Sequence, residues 1–312
     1  MKAIQLHQFG ELSNLVLEDI APPKLQSGHV IVRNQACGVN PIDWKTCSGG
    51  GASAHIGALP FTPGWECAGE IIAVAEDVKD FKVGDHVMGM LAFPKQAGGL
   101  AEQVLVNAEH LCHRPDHLPV HLAGALGIAG LTAWQAVFEH GNLLGGQSVL
   151  VLGGGGGVGH LAVQIAHVHG AKVFATASSK HHALLSGWGA SCIDYHSQKL
   201  SDVLEPVDLI IDCVGGDTAK TALTSLKKDG LMVTLPSLTK EEVIAAGEEY
   251  GRKVTHFLVA NEPDQLARLA TLVEAGDVEL ILSQRYPLAD VAKAYEASQT
   301  GRVQGKIVID IG

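Results

Sequence analysis

The chain has 312 residues, 46% hydrophobic and 18% charged, with a net charge of −11. That length holds two domains with separate cores, and the composition is that of an ordinary soluble globular protein. The acidic balance argues against nucleic acid or an anionic membrane surface as partner, so an anionic ligand would have to be held by local positive features.

No basic start precedes an apolar core at the N-terminus, and a secretion signal is not expected. Residues 1 to about 110 read as β-rich, with strands expected at 29–33, 69–75 and 85–90. Turn signals stand between them at Pro22-Pro23, Ser48-Gly49-Gly50-Gly51, Gly84-Asp85 and Gly98-Gly99, a pattern that suggests a small barrel. The longest apolar run, 122–138, is broken by Gly124, Gly127, Gly130, Thr132 and Gln135 and reads as core, not as a membrane span.

From about 122 the period changes. Strands expected at 148–152, 172–176, 191–194, 207–213, 230–235 and 254–259 alternate with helical stretches, which predicts a doubly wound parallel sheet. Helices near 264–274 and 290–298 and a strand at 306–309 do not extend the alternation. The expected organisation is therefore a β-rich domain over 1–121, an inserted nucleotide domain over 122–260, and a return to the first domain over 261–312. The segments 231–235 and 254–259 should lie at one end of the parallel sheet, and an uncovered apolar edge there invites a homodimer. The six cysteines form no C-x-x-C pair, as expected of a reduced, cytoplasmic chain.

The stretch with most chemical content is Ser148 to Gly159. A short apolar strand runs into five glycines and then a helix, with Gly154, Gly156 and Gly159 at G-x-G-x-x-G spacing and Gly157 and Val158 between them. Glycine is required for a tight turn, for close approach of a pyrophosphate, and for helix–strand packing. The phosphates would meet free N–H groups at the positive end of the helix. A five-glycine connector is the plainer alternative, but the flanking strands point to a βαβ unit.

An acidic residue about twenty positions further on would favour a 2′-hydroxyl. Here the sequence reads Ala175-Thr176-Ala177-Ser178-Ser179-Lys180, with the hydroxyls of Ser178 and Ser179, one cation and no carboxylate. That points to NADPH. Alternatively Ser178 or Ser179 caps the next helix and Lys180 is merely solvated.

His113, His117 and His121 stand at i, i+4, i+8, with His110 and Cys112 nearby. Pro115 and Pro119 fall between them and disfavour the single helix that would let them chelate a metal. Surface and linker histidines are the plainer reading.

Several separate motifs resemble the medium-chain dehydrogenase/reductase superfamily, in its zinc-free quinone oxidoreductase and enone reductase branch. They are Gly38-Val39-Asn40-Pro41-Ile42-Asp43-Trp44-Lys45, Pro63-Gly64-Trp65-Glu66-Cys67-Ala68-Gly69, Val83-Gly84-Asp85-His86-Val87, Ala129-Gly130-Leu131-Thr132-Ala133-Trp134, the glycine loop, and Gly305-Lys306-Ile307-Val308. The resemblance covers nearly the whole chain. It implies an α/β fold, with a GroES-like β-rich catalytic domain and an inserted Rossmann domain. It also implies that Ser178, Ser179 and Lys180, with Tyr195, hold NADPH. Where zinc-dependent relatives carry cysteine and histidine ligands, this chain has Asn40 and Trp65, which do not replace thiolate and imidazole. No metal is expected.

Without Lewis acidity, the acceptors within reach are quinones and α,β-unsaturated carbonyls, whose added electron pair delocalises onto oxygen. The protein then positions the acceptor and donates a hydrogen bond to the oxyanion. Asn40 is the first candidate donor, or else a turn residue before Pro41. Asp43 and Trp44 would line the pocket or the nicotinamide ribose, with Asp43 alternatively capping the segment that follows. Thr132 resembles a position at the nicotinamide end, or else bonds its own helix. Val214 should border the cofactor, with Gly215 and Gly216 allowing the approach. No general acid stands out: His55 lies in a glycine-rich loop, and the four tyrosines fall outside the first domain's motifs. Gln103 stands where the resembled motif has an aromatic. Two other functions fit part of the pattern: a non-catalytic NADPH-binding sensor or structural protein, and a zinc alcohol dehydrogenase using the 110–121 histidines.

Overall fold

A computed structural model describes every residue from Met1 to Gly312. The chain divides into two compact units. One comprises Met1–Leu131, Asn261–Gly276 and Leu280–Gly312, and the other Thr132–Ala260 with Asp277–Glu279. The first cut falls inside the helix Gly127–Val137, ten residues beyond the change of period near 122. The reason is packing: the helix Val120–Ala123 lies against strands of the first unit, and Gly130 touches Leu269.

The first unit is built on a seven-stranded sheet, with a two-stranded ladder of Lys2–Leu6 and Leu15–Asp19 beside it. Its backbone is the strand His29–Val39, eleven residues long and far longer than the 29–33 read from sequence. The β-branched start, Val30-Ile31-Val32, is followed by Ala36-Cys37-Gly38, which carry little periodic signal yet are fully buried. Two neighbours matter most. Glu66–Val74 pairs antiparallel with it, Ala68 opposite Ala36, and Lys306–Asp310 pairs antiparallel on the other side, Ile307 opposite Val39. These registers bring Glu66, Gly38 and Asn40, and Lys306 to one end of three adjacent strands. Below them Val30, Val32, Ile71, Val87 and Val104 form the apolar core.

The second unit is a six-stranded, wholly parallel sheet in the spatial order Ser191–Asp194, Lys172–Ala177, Ser148–Leu152, Val207–Asp212, Leu226–Thr234, Lys253–His256. The order reverses between Ser148–Leu152 and Val207–Asp212, and ligands of such sheets bind beyond the carboxyl ends at that switch. The central strands are buried on both faces, and Leu150, Leu152, Ile210 and Met232 centre one core cluster.

Two glutamines tie irregular segments into this unit. Gln164 donates to the carbonyl of Glu279 (2.9 Å) and accepts its N–H (2.7 Å), as a neighbouring strand would. Gln135 does the same with Ala260, at 2.9 Å in each direction. No helix is long and apolar enough to cross a membrane; the run 122–138 is divided between the helices Val120–Ala123 and Gly127–Val137.

Candidate active site

In the second unit the five glycines are an ordered turn. Gly154 donates to the Thr176 carbonyl and Gly156 to that of Gly153. A β-carbon on Gly159 would lie 2.2 Å from the Gly153 carbonyl oxygen, so the helix Gly159–Val168 approaches the strand only because that residue is glycine. A β-carbon on Gly154 would meet Ala175 at 2.8 Å, whereas one on Gly156 has nothing nearer than 3.3 Å. The first and third glycines therefore serve packing, and the second leaves open backbone. No hydrogen bond within the chain takes the N–H of Gly157 or Val158. These are the donors a pyrophosphate needs at a helix start, and the residues present fit a dinucleotide.

The other sequence-predicted cofactor residues follow the neighbouring strand Lys172–Ala177. Ser178 precedes the short helix Ser179–His181, but its side chain makes no capping bond, so the capping alternative is not what the structure has. Lys180 is exposed and enters no ion pair, and Ser179 is exposed beside it. Tyr195, 56% exposed, follows the edge strand. Sequence reasoning passed over His181, whose imidazole lies against Gly155.

Opposite the glycine loop, Val214 lies against Gly153, whose added β-carbon would sit 3.0 Å from it. Its position is fixed by Asp212, fully buried, which accepts the N–H groups of Val214 (2.9 Å) and Gly215 (2.8 Å) and the Thr234 hydroxyl (2.7 Å). Gly215 and Gly216 both take positive φ, the left-handed backbone that glycine adopts without strain. Thr132 is half-buried, and its hydroxyl makes no bond to its own helix.

The first unit holds a buried polar cluster. Asn40 is 4% exposed; its Nδ2 donates to Glu66 Oε2 at 3.0 Å, and its Oδ1 accepts from Lys306 Nζ at 2.5 Å. Lys306 also donates to the Val39 carbonyl at 2.8 Å, and Glu66 Oε1 accepts the Ile128 N–H. Gly38 and Gly127 flank the Glu66 carboxylate; a β-carbon on Gly38 would stand 2.0 Å from Oε2. The donors and acceptors converging here are matched to an ammonium, and the position is filled by protein.

Asp43 does not line a pocket. It is 1% exposed, in the first turn of the helix Pro41–Cys47, and its Oδ2 accepts the Asn40 N–H at 2.6 Å. It thus takes the capping role. Burial pushes its carboxyl up to about 8, the Asn40 N–H and Lys306 pulling it down and Glu66 pushing it further up. Asp43 Oδ1 has no hydrogen-bond partner, and neither has the hydroxyl of Tyr295, itself fully buried and raised well above its usual range first by burial and then by Asp43. Trp44 is held through its indole N–H, which donates to Ser298 at 3.2 Å, while Lys45 lies over its ring. Trp65 is 1% exposed and donates to the Lys95 carbonyl at 2.7 Å. The three spaced histidines sit on separate elements: His113 ends a strand, His117 lies in a loop, and His121 is in the helix Val120–Ala123.

The chain as a whole is similar to known proteins. A family model described as alcohol dehydrogenase GroES-like domain matches residues 26–140, and one described as zinc-binding dehydrogenase matches 188–309. A 2-methylene-furan-3-one reductase of Solanum lycopersicum is 33% identical, with 99% of this chain and 79% of the relative covered. The chain belongs to the medium-chain dehydrogenase/reductase superfamily, in its quinone oxidoreductase branch. An NADPH-dependent alkenal/one oxidoreductase of Arabidopsis thaliana, chloroplastic, is 32% identical over the same shares. The structure of a quinone oxidoreductase from Coxiella burnetii superposes with a TM-score of 0.96 at 35% identity, covering 100% of this chain and 99% of that one.

As a medium-chain reductase the chain is an enzyme that binds a nicotinamide cofactor, and three residues of the first unit's buried polar cluster carry little signal in the sequence. Glu66 and Lys306 were visible only as parts of motifs. The one local hint for Lys306 was a lone cation opening the apolar strand Lys306–Asp310. Tyr295 gave no hint, because its neighbour Asp43 lies far away in the chain.

Proposed function

We propose that this enzyme transfers hydride from NADPH to quinones or α,β-unsaturated carbonyls without a bound metal. When bound, the reduced nicotinamide supplies the hydride. The β-carbon of an enone receives it, the electron pair moves to the carbonyl oxygen, and a solvent proton at the α-carbon completes the saturated product. With a quinone, hydride and then a proton give the hydroquinone.

The residues divide the work. Gly157 and Val158 present backbone N–H groups to the pyrophosphate, Gly154 and Gly159 pack the loop that holds them, and Gly156 leaves room for its approach; Ser178, Ser179, Lys180 and Tyr195 bind the 2′-phosphate. Val214, braced by Asp212, and Thr132 border the nicotinamide. Asn40 donates to the developing oxyanion, held by Glu66 and Lys306 and seated by Asp43 and Trp44.

One observation carries the metal-free chemistry above the others. The Asn40 carboxamide is clamped between a buried ammonium and a buried carboxylate, so the protein itself supplies the local positive charge. An acceptor that needs a Lewis acid is poorly served there, and one that is already electrophilic is well served. The relatives named for alkenal, furanone and quinone substrates support the same choice. NADPH over NADH follows from the unpaired Lys180 beside Ser178, with no carboxylate between Ala177 and His182.

A homodimer is part of the proposal. Lys253–His256 is the edge of the parallel sheet, with Leu258 (55%) and Leu238 (81%) exposed, and a second copy would cover that edge. Light scattering after size exclusion tests it. Six unpaired thiols support a reducing compartment such as the cytoplasm. The deciding assay for the function follows NADPH and NADH oxidation against benzoquinone, phenanthrenequinone, alkenals and simple ketones. Turnover of ketones in preference to alkenals and quinones would overturn it.

A further inference from the structure

Lysine is seldom buried, and Lys306 is 3% exposed. It stands opposite Asn40 across an antiparallel pair, and Glu66 approaches the same amide from the strand on the other side. Resting on the reductase function above, we propose that Lys306 is a positioning residue for hydride transfer: its ammonium fixes and polarises the Asn40 carboxamide, whose Nδ2 hydrogen not taken by Glu66 donates to the oxyanion of the acceptor.

The orientation of the amide follows from chemistry. An ammonium only donates and a carboxylate only accepts, so Oδ1 must face Lys306 and Nδ2 must face Glu66. The backbone of Asn40 is locked too, its N–H on Asp43 Oδ2 and its carbonyl accepting the Asp43 N–H at 2.9 Å. Nδ2 carries two hydrogens and makes one hydrogen bond in the chain, which leaves one donor. A cation on the carbonyl oxygen withdraws electron density from the amide nitrogen, and in a water-poor environment that strengthens the donor.

Stability alone does not explain the arrangement. Apolar residues of similar volume often replace buried charged groups without loss, and Lys306 and Glu66 meet only through the Asn40 amide. Here Gly38 and Gly127 forgo side chains to leave room for Glu66. With an enone the hydride forms a C–H bond at the β-carbon, the C=C π pair shifts to the bond between the α-carbon and the carbonyl carbon, the C=O π pair becomes the oxyanion, and a solvent proton is then taken up at the α-carbon. The Asn40 hydrogen is shared with the oxyanion but not transferred, and Lys306 keeps its proton throughout.

The test compares wild type with Lys306→Met, Glu66→Gln and the double variant, whose buried pocket is again free of unpaired charge. Three quantities are read: melting temperature, NADPH dissociation constant by fluorescence, and kcat with trans-2-hexenal. The expected result is that the double variant regains thermal stability and NADPH affinity while kcat stays about ten- to a hundredfold below wild type, the range of a charge-assisted hydrogen bond. Recovery of kcat together with melting temperature would overturn the inference, as would wild-type kcat in Lys306→Met. Should the methionine variants not fold, Lys306→Gln keeps a donor for Oδ1 without the charge, and full kcat there is equally fatal. A wild type that binds NADPH yet reduces neither trans-2-hexenal nor phenanthrenequinone would instead remove the reductase function, and this role of Lys306 with it.

Discussion

Lys180→Ala separates the two nicotinamide cofactors. Lys180 is exposed, unpaired and two residues past Ser178, whose hydroxyl makes no capping bond. At about 4 Å from a phosphate oxygen, a unit charge pair is worth roughly 1 kcal/mol in bulk water and roughly 4 kcal/mol near a protein surface. A charged hydrogen bond measured by mutation falls between, at about 1.5–3 kcal/mol. Because Lys180 is exposed, the lower end applies, which is about tenfold in Kd for NADPH. NADH has no 2′-phosphate and should be unaffected. Fluorescence titration of both cofactors against wild type and variant, at low and high salt, measures the effect, and the NADPH difference should shrink as salt rises. Equal loss for both cofactors, or a loss indifferent to salt, would assign Lys180 to structure and refute the phosphate role.

Three more outcomes follow from the structure. Asp43 is raised to about 8 in the folded chain; the native state therefore holds a proton that the unfolded chain has released, and stability should fall as pH rises from about 5 to 8, by at most ~1.4 kcal/mol per pH unit. Asp43→Asn, which still accepts the Asn40 N–H, should flatten that fall in chemical denaturation at a series of pH values; an unchanged slope would mean another group is responsible. Gly159→Ala places a methyl 2.2 Å from the Gly153 carbonyl oxygen, so melting temperature and affinity for both cofactors should drop, by about 1–3 kcal/mol in stability. Gln164→Ala strips the N–H and carbonyl of Glu279 of their partner, and denaturant unfolding should show a loss of about 2–4 kcal/mol, while an effect below the scatter would mean water replaces the amide.

What could be seen in the chain beforehand was local. The glycine spacing, the absence of an acid after Ala177 and the alternation of strands and helices are short-range patterns, and each bears on the second unit. The first unit's cluster joins residues 40, 66 and 306, and its geometry depends on strand register that no short window reveals. Asp43 shows how a side chain is misjudged on that account. Its place three residues after Asn40 fitted both a cap and a pocket wall, and only the burial of its carboxyl decides for the cap. No motif surrounds Tyr295, yet its helix Val291–Gln299 packs on Pro41–Cys47. The second half of the strand His29–Val39 is hidden in the sequence for a related reason: Ala36, Cys37 and Gly38 are small because neighbouring strands and Glu66 crowd them, and small residues carry little periodicity.

The most direct measurement of the metal-free hydride transfer is the initial rate of NADPH oxidation with trans-2-hexenal and with phenanthrenequinone, on protein dialysed against a strong chelator, with metal content determined on the same sample. Turnover should survive chelation undiminished, with zinc far below one atom per chain and NADPH preferred to NADH. Activity that vanishes with the chelator, returns with zinc and extends to ethanol oxidation with NAD would contradict it.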